Sequence, residues 1–241
     1  MKKWLTTLGF VTFIACSGAT ESFSPTPTSC AHDVVAHASP PRLIPQPVVR
    51  FVFLGDYWST SNESQNEMGE WLTLLNASKV FDRLAEYGIQ EGVMDDKQFN
   101  DPLPTGNPID DGKITTQLES DFQNGFLPVP DNSSIYVVFL PPGAITQKMK
   151  SNKWNGYHYT SNYGTVPYSF AIIGYNNNVS NLNATVSHEL YETVTDPDVS
   201  TGYFDDKGGG EVGDICGGAG SDVINGFSVV KVWSQSSCKC E

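Results

Sequence analysis

The run Ser134-Ile135-Tyr136-Val137-Val138-Phe139-Leu140 constrains this chain more than any other stretch, because no polar residue interrupts it after Ser134. A strand with one face in water alternates apolar and polar positions, whereas an unbroken β-branched and aromatic row belongs to a strand covered on both faces. Pro141-Pro142-Gly143 ends it. Further strands are expected at Val48–Leu54, closing on Gly55, and over residues 89–94, 168–173 and 227–233. Helices are expected from Asn62 or Ser64 through Met68, Trp71, Leu72 and Leu75 to Leu84, over 114–122 with Asn124-Gly125 as the stop, and over the short piece 145–150. These elements mix without strict alternation, so the fold class is α+β, or α/β-like, with a central mixed sheet. After Pro47 there is neither a repeat nor a second linker, and residues 47–241 read as one domain.

The first 46 residues read differently. Met1-Lys2-Lys3 and the apolar run 4–15 form a secretory signal too short to span a bilayer. The run closes on Phe13-Ile14-Ala15-Cys16, which resembles a bacterial lipobox with Cys16 as the lipid anchor; the alternative is cleavage after Ala19. Residues 16–46 are rich in Ser, Thr and Pro and are expected to form an extended tether outside the fold. The expected location is therefore secreted or on the cell envelope. Export would place Cys30, Cys216, Cys238 and Cys240 where disulfides persist. Cys238 and Cys240 are too close in sequence to bond each other without strain, so Cys216 is expected to pair with one of them. With 14 Lys+Arg against 27 Asp+Glu, the net charge of −13 repels phosphate backbones and argues against nucleic acid as a partner.

That charge balance bears on metal chemistry as well. Only 4 histidines exist, and His32 and His37 fall in the expected tether, so a three-histidine site is out of reach and any transition-metal site must use carboxylates. Residues 184–195 follow Asn183, a good helix cap, and stop before Asp196-Pro197. On that helix Val186, Leu190 and Val194 share one face, while His188 and Glu192, one turn apart, lie together on the other. An imidazole and a carboxylate so placed can reach one divalent ion, and Glu189 beside them could act as a base on a water held there. This is the zincin His-Glu-x-x-His device with glutamate in place of the second histidine, a change that also admits harder cations. Downstream, Glu211-Val212-Gly213-Asp214-Ile215-Cys216 offers a third ligand, with Asp214 preferred over Glu211 because Cys216 would hold it in place.

His158, in Gly156-Tyr157-His158-Tyr159, is the remaining histidine of the body and could complete the shell or stabilise an oxyanion. Asp196, Asp198 and Ser200 fail the EF-hand pattern, since glycine comes at the seventh position, and read as a solvated loop or at most a weak secondary calcium site. The strand over 168–173 could accept an extended peptide at its edge. The expected function is thus an exported zinc metallohydrolase, peptidase-like, acting on a peptide or cell-surface polymer, with Ca2+ as the alternative ion. The other reading is a non-catalytic extracellular binding protein, with a structural ion or none, that uses Trp154, Tyr157, Tyr159 and Tyr163. No Gly-x-Ser-x-Gly elbow supports a serine hydrolase.

At these residues the chain resembles the phosphate-induced protein, or EXORDIUM-like, family of extracellular proteins. The likeness runs in islands: Phe51 to Gly55 with Tyr57-Trp58, Ser134 to Phe139, Gly156-Tyr157-His158, and Tyr168 to Gly174. The most specific are His188-Glu189-Leu190-Tyr191-Glu192 with Thr195-Asp196-Pro197, and Glu211 to Cys216. The resemblance implies an exported protein and supports a metal-site constellation more than a particular reaction. The chain departs from it in Asp196, where plant members often carry Asn, and in the Pro-rich segment.

Overall fold

The computed structural model describes residues 29–60, 73, 75, 79–177 and 179–241. The expected signal, Cys16 and the alternative cleavage point after Ala19 lie outside the described residues, as does most of the helix expected over 62–84. At either end of that stretch stand a one-turn helix α1 (Tyr57–Thr60) and a 3-10 helix Val80–Tyr87.

The centre is a mixed five-stranded sheet. Its members are β2 (Val48–Leu54), β3 (Val93–Asp101), β4 (Ser134–Leu140), β5 (Gly156–Tyr163) and β6 (Val166–Gly174), in the order β3-β2-β4-β6-β5. The first four in that order run parallel, and β5 returns antiparallel along β6. The unbroken apolar strand β4 lies at the middle with every residue buried. Alternation then sorts side chains between two cores. Phe51, Phe53, Val137, Phe139, Ala171 and Ile173 face one side, and Val52, Leu54, Tyr136, Val138, Phe170 and Ile172 the other. The helix α2 (Asp111–Asn124) covers the second side with Ile114, Leu118 and Phe122. It is capped by the Asp110 carboxylate and ended by Gly125 in the left-handed region at φ 70. A short helix α3 (Gln147–Asn152) follows β4.

The long helix α4 (Val179–Thr195) packs on β5 and β6 across the first side. Val186, Leu190 and Val194 are fully buried, each worth about 1.5–3 kcal/mol of burial. This helix begins earlier than expected. Asn183 is therefore not its cap but an interior residue, 6% exposed, whose Oδ1 lacks a hydrogen-bond partner. The strand over 168–173 also needs correction as a peptide-accepting edge: β6 is interior, and the edge strand beside α4 is β5.

The tether reading of residues 16–46 fails for its described part. Strand β1 (Val34–Ala36) pairs antiparallel with β7 (Tyr203–Asp205), which in turn pairs with β8 (Gly210–Glu211). Ile44 is buried in the main core, and Cys30 bonds Cys238 while Cys216 bonds Cys240. The second pairing is one of the two expected for Cys216. Composition misled here because Pro and Ser report the absence of a helix, not the absence of packing. The hairpin β9 (Ser221–Ile224) with β10 (Phe227–Val230), and the pair β11 (Trp233–Ser234) with β12 (Lys239–Cys240), complete the chain. The strand expected over 227–233 is thus divided in two. Among the described residues no helix is long and apolar enough to cross a membrane.

The anchor of this N-terminal segment is Asp205. Its carboxylate, with no solvent exposure, accepts from the Asp33, Lys207 and Gly209 backbone amides at 2.7, 3.1 and 2.8 Å and lies 2.7 Å from His32 Nδ1. Burial alone would raise its pKa, but these donors outweigh it and hold the carboxyl far below the usual carboxylate range. The stabilisation is therefore present in full above about pH 4 and is lost as pH falls below that value. Asp205→Ala is expected to cost about 2–3 kcal/mol in urea denaturation at pH 7 and to expose the segment before β2 to proteolysis. A difference between variant and wild type that fails to shrink toward pH 2 would contradict this account.

Candidate metal centre

The site is built where α4, the edge strand β5 and the β8 loop meet. Val186, Leu190 and Val194 lock α4 into the core, which directs His188, Glu189 and Glu192 toward β5 and the segment 211–214. These residues line a cleft of about 200 Å³ together with Gly156, Tyr157, His158 and Trp154. Asp214 opens a single 3-10 turn, Asp214–Cys216, held to the C-terminus by the Cys216–Cys240 bond.

Every candidate residue reaches this cleft. His188 Nε2 lies 3.2 Å from Glu192 Oε1 and 3.5 Å from Asp214 Oδ1, the convergence that the helical spacing and the distant loop require. The Asp214 backbone amide donates to the same Glu192 oxygen at 3.1 Å, which fixes loop against helix. Glycine at 213 lets the loop approach the ligands closely: a Cβ there would stand 2.9 Å from Glu192 Oε1 and 3.1 Å from His188 Nδ1, so both side chains would have to shift. Gly156 allows an equally close approach, since a Cβ would meet Thr185 Cγ2 at 2.7 Å and Glu189 Oε1 at 3.0 Å.

The structure adds a second donor group that the sequence reading did not separate. His158 is buried, with Nδ1 3.5 Å from Glu189 Oε2 and 3.7 Å from Glu192 Oε2. Its Nε2 lies 3.2 Å from the Asp196 carbonyl oxygen and 3.4 Å from Glu211 Oε1. His158, Glu192 and Glu211 thus offer ligand atoms within 4.8 Å of one another, as do His188, Glu192 and Asp214. The first group is buried throughout; the second opens to the cleft, with the Asp214 side chain 52% exposed. A ring nitrogen on a backbone carbonyl, as His158 Nε2 is, orients the other nitrogen toward a ligand position.

Asp196, expected in a solvated loop, is instead completely buried. Its Oδ1 accepts from the Ser200, Thr201 and Gly202 amides at 3.0, 3.2 and 2.8 Å, and its Oδ2 has no hydrogen-bond partner. The Ser-Thr-Gly run after Asp196-Pro197-Asp198 was the available signal for such a side-chain-to-backbone turn. Tyr157 and Tyr163 likewise drop out of the expected aromatic surface. Tyr157 is buried and bonded to Asp111, and Tyr163 packs on Phe122, leaving Trp154 and Tyr159 exposed.

The electrostatics follow from crowding carboxylates away from water. Burial, reinforced by the charge of Glu192, pushes Glu211 up to about 9, and burial holds Glu192 well above the ordinary carboxylate range. Burial would lower both imidazoles, yet Glu192 and Asp214 carry His188 up to about 10, and Glu189 and Glu211 raise His158. Asp214, bonded to His188, is lowered. Negative charge of this density needs positive partners, which are protons or cations. Glu211 Oε1 is buried without a hydrogen bond, and the donors are imidazole nitrogens and carboxylate oxygens. That set fits zinc and admits calcium less well, because calcium prefers an all-oxygen shell. His32 and His37 pair with Asp205 and Asp206 instead. No protein-family model matches the chain, and no curated protein is detectably similar to it.

Proposed function

We propose that this chain is an exported zinc-dependent hydrolase acting on peptide bonds at or outside the cell envelope, and a member of the EXORDIUM-like family. The observation that carries the metal reading is the position of Glu192, one carboxylate set between two imidazoles with Asp214 and Glu211 on either side. His188, Glu192 and Asp214 hold the ion beside the open cleft, and the burial of His158 among carboxylates favours a ligand role for it over an oxyanion role. Bound zinc supplies Lewis acidity toward a substrate carbonyl and toward water.

Glu189 carries the proton traffic. It lines the cleft and is 5% exposed, a position from which it can take a proton from the attacking water as oxygen adds to the carbonyl carbon. When the carbon–nitrogen bond breaks, Glu189 returns that proton to the departing amine, and the acyl product keeps the oxygen. The antiparallel edge strand β5 beside the cleft suits an extended peptide. Two disulfides fit an oxidising compartment. Exposed Trp154 and Tyr159 favour the second reading, an extracellular binding protein with a structural ion, to the extent that they offer a flat aromatic contact surface.

Elemental analysis of gently purified protein tests the metal reading. The wild type is expected to carry zinc, and Glu192→Ala is expected to weaken zinc affinity beyond the about 100-fold that loss of an outer-shell partner costs. Wild-type protein free of any divalent metal, and unable to take up zinc, would end this proposal.

A further inference from the structure

Resting on the metal-centre reading above, we infer that the cleft binds two divalent ions, with Glu192 as the carboxylate shared between them. The two donor groups have only this residue in common. Its oxygens are divided between them: Oε1 stands 3.2 Å from His188 Nε2, and Oε2 stands 3.7 Å from His158 Nδ1. A carboxylate disposed in this way bridges, and hydrolytic two-ion centres hold their ions about 3.5–4 Å apart, a separation such a bridge spans.

The charge of the cleft accommodates a second ion. Glu189, Glu192, Glu211 and Asp214 bring four carboxylates to one cleft whose histidines are neutral as ligands. A single divalent ion leaves part of this charge to be met by protons, whereas a second ion can take their place in the buried group. An ion at the open group alone would leave Glu211 Oε1 buried without a hydrogen bond.

The groups differ in access, so the ions differ in behaviour. The side chains of His158, Glu192 and Glu211 are 3%, 5% and 12% exposed, against 24% and 52% for His188 and Asp214. The buried ion exchanges slowly and binds tightly; the open one exchanges readily and faces the substrate.

The test is Co2+ titration of chelator-stripped full-length protein, followed by visible absorbance and calorimetry, with electron paramagnetic resonance of the loaded form. Two equivalents per chain are expected, in a tight and a weaker step, with magnetic coupling between the ions. Asp214→Asn should remove the weaker step and Glu211→Gln the tighter one, each leaving one equivalent and no coupling. Saturation of the wild type at one equivalent overturns the second ion while leaving the metal centre in place. Two equivalents without coupling overturn the shared carboxylate, and no uptake overturns both readings. The wild-type titration decides the matter even if a variant fails to fold, which its circular dichroism melt reveals.

Discussion

Glu189→Gln is expected to lower kcat for peptide hydrolysis by about 10³-fold, with zinc content and melting temperature unchanged. The substitution keeps the shape and polarity of a side chain confined between His158 Nδ1, 3.5 Å from its Oε2, and Gly156, whose missing Cβ makes room for its Oε1. Only the capacity to accept a proton disappears. Glutamine can still occupy this space because an amide satisfies much the same contacts, so a loss of activity cannot be ascribed to collapse of the cleft. The measurement compares turnover of a fluorogenic peptide pool with elemental analysis and a thermal melt on the same preparation. Undiminished turnover would remove Glu189 from the chemistry. A wild type that holds zinc, binds a wall polymer and cleaves nothing would instead favour the non-catalytic reading.

Breaking the Cys30–Cys238 bond has the largest expected effect on stability. It joins residues 208 apart in sequence, and closure of so long a loop in the unfolded chain is worth about 5 kcal/mol, against about 3 kcal/mol for Cys216–Cys240 with a separation of 24. The consequence reaches the cleft through the small sheet β1-β7-β8, because Glu211 lies in β8. A double Cys30→Ser, Cys238→Ser variant is therefore expected to unfold at lower urea, by about 5 kcal/mol, and to hold zinc less tightly. Denaturation of variant and wild type, each with and without reductant, checks this. A loss below about 1 kcal/mol in the variant would show that the non-covalent contacts of residues 29–46 suffice.

Much of the sheet was legible because its strands carry their own evidence. Ser134–Leu140 and Val48–Leu54 occupy the expected spans, since a row of apolar β-branched and aromatic residues has few other stable uses. The strand expected over 89–94 was placed too early: Ile89 is buried in the main core ahead of the strand, and pairing runs from Val93 to Asp101. Burial and strand pairing are separate properties, and composition reports only the first.

The candidate ligands themselves were legible too, from the one-turn spacing of His188 and Glu192 and from the acidic loop beside Cys216. Which ligand meets which was not. Local periodicity places side chains on a helix face, but it carries no information about the edge strand that faces them. That strand brings His158 against Glu189, Glu192 and Glu211, and so divides one expected metal site into two donor groups. The fate of residues 29–46 was hidden for a related reason: a short strand and isolated buried residues such as Val34 and Ile44 owe their order to distant partners, here β7, Asp205 and Cys238.

The amino-acid sequence by itself determined the kind of chemistry available, because residue types and helical spacing set which donor atoms exist and which share a face. Only the tertiary structure decided how those donors combine. Ligand distances depend on packing between elements far apart in the chain, and that packing is set by the shapes of buried side chains acting together.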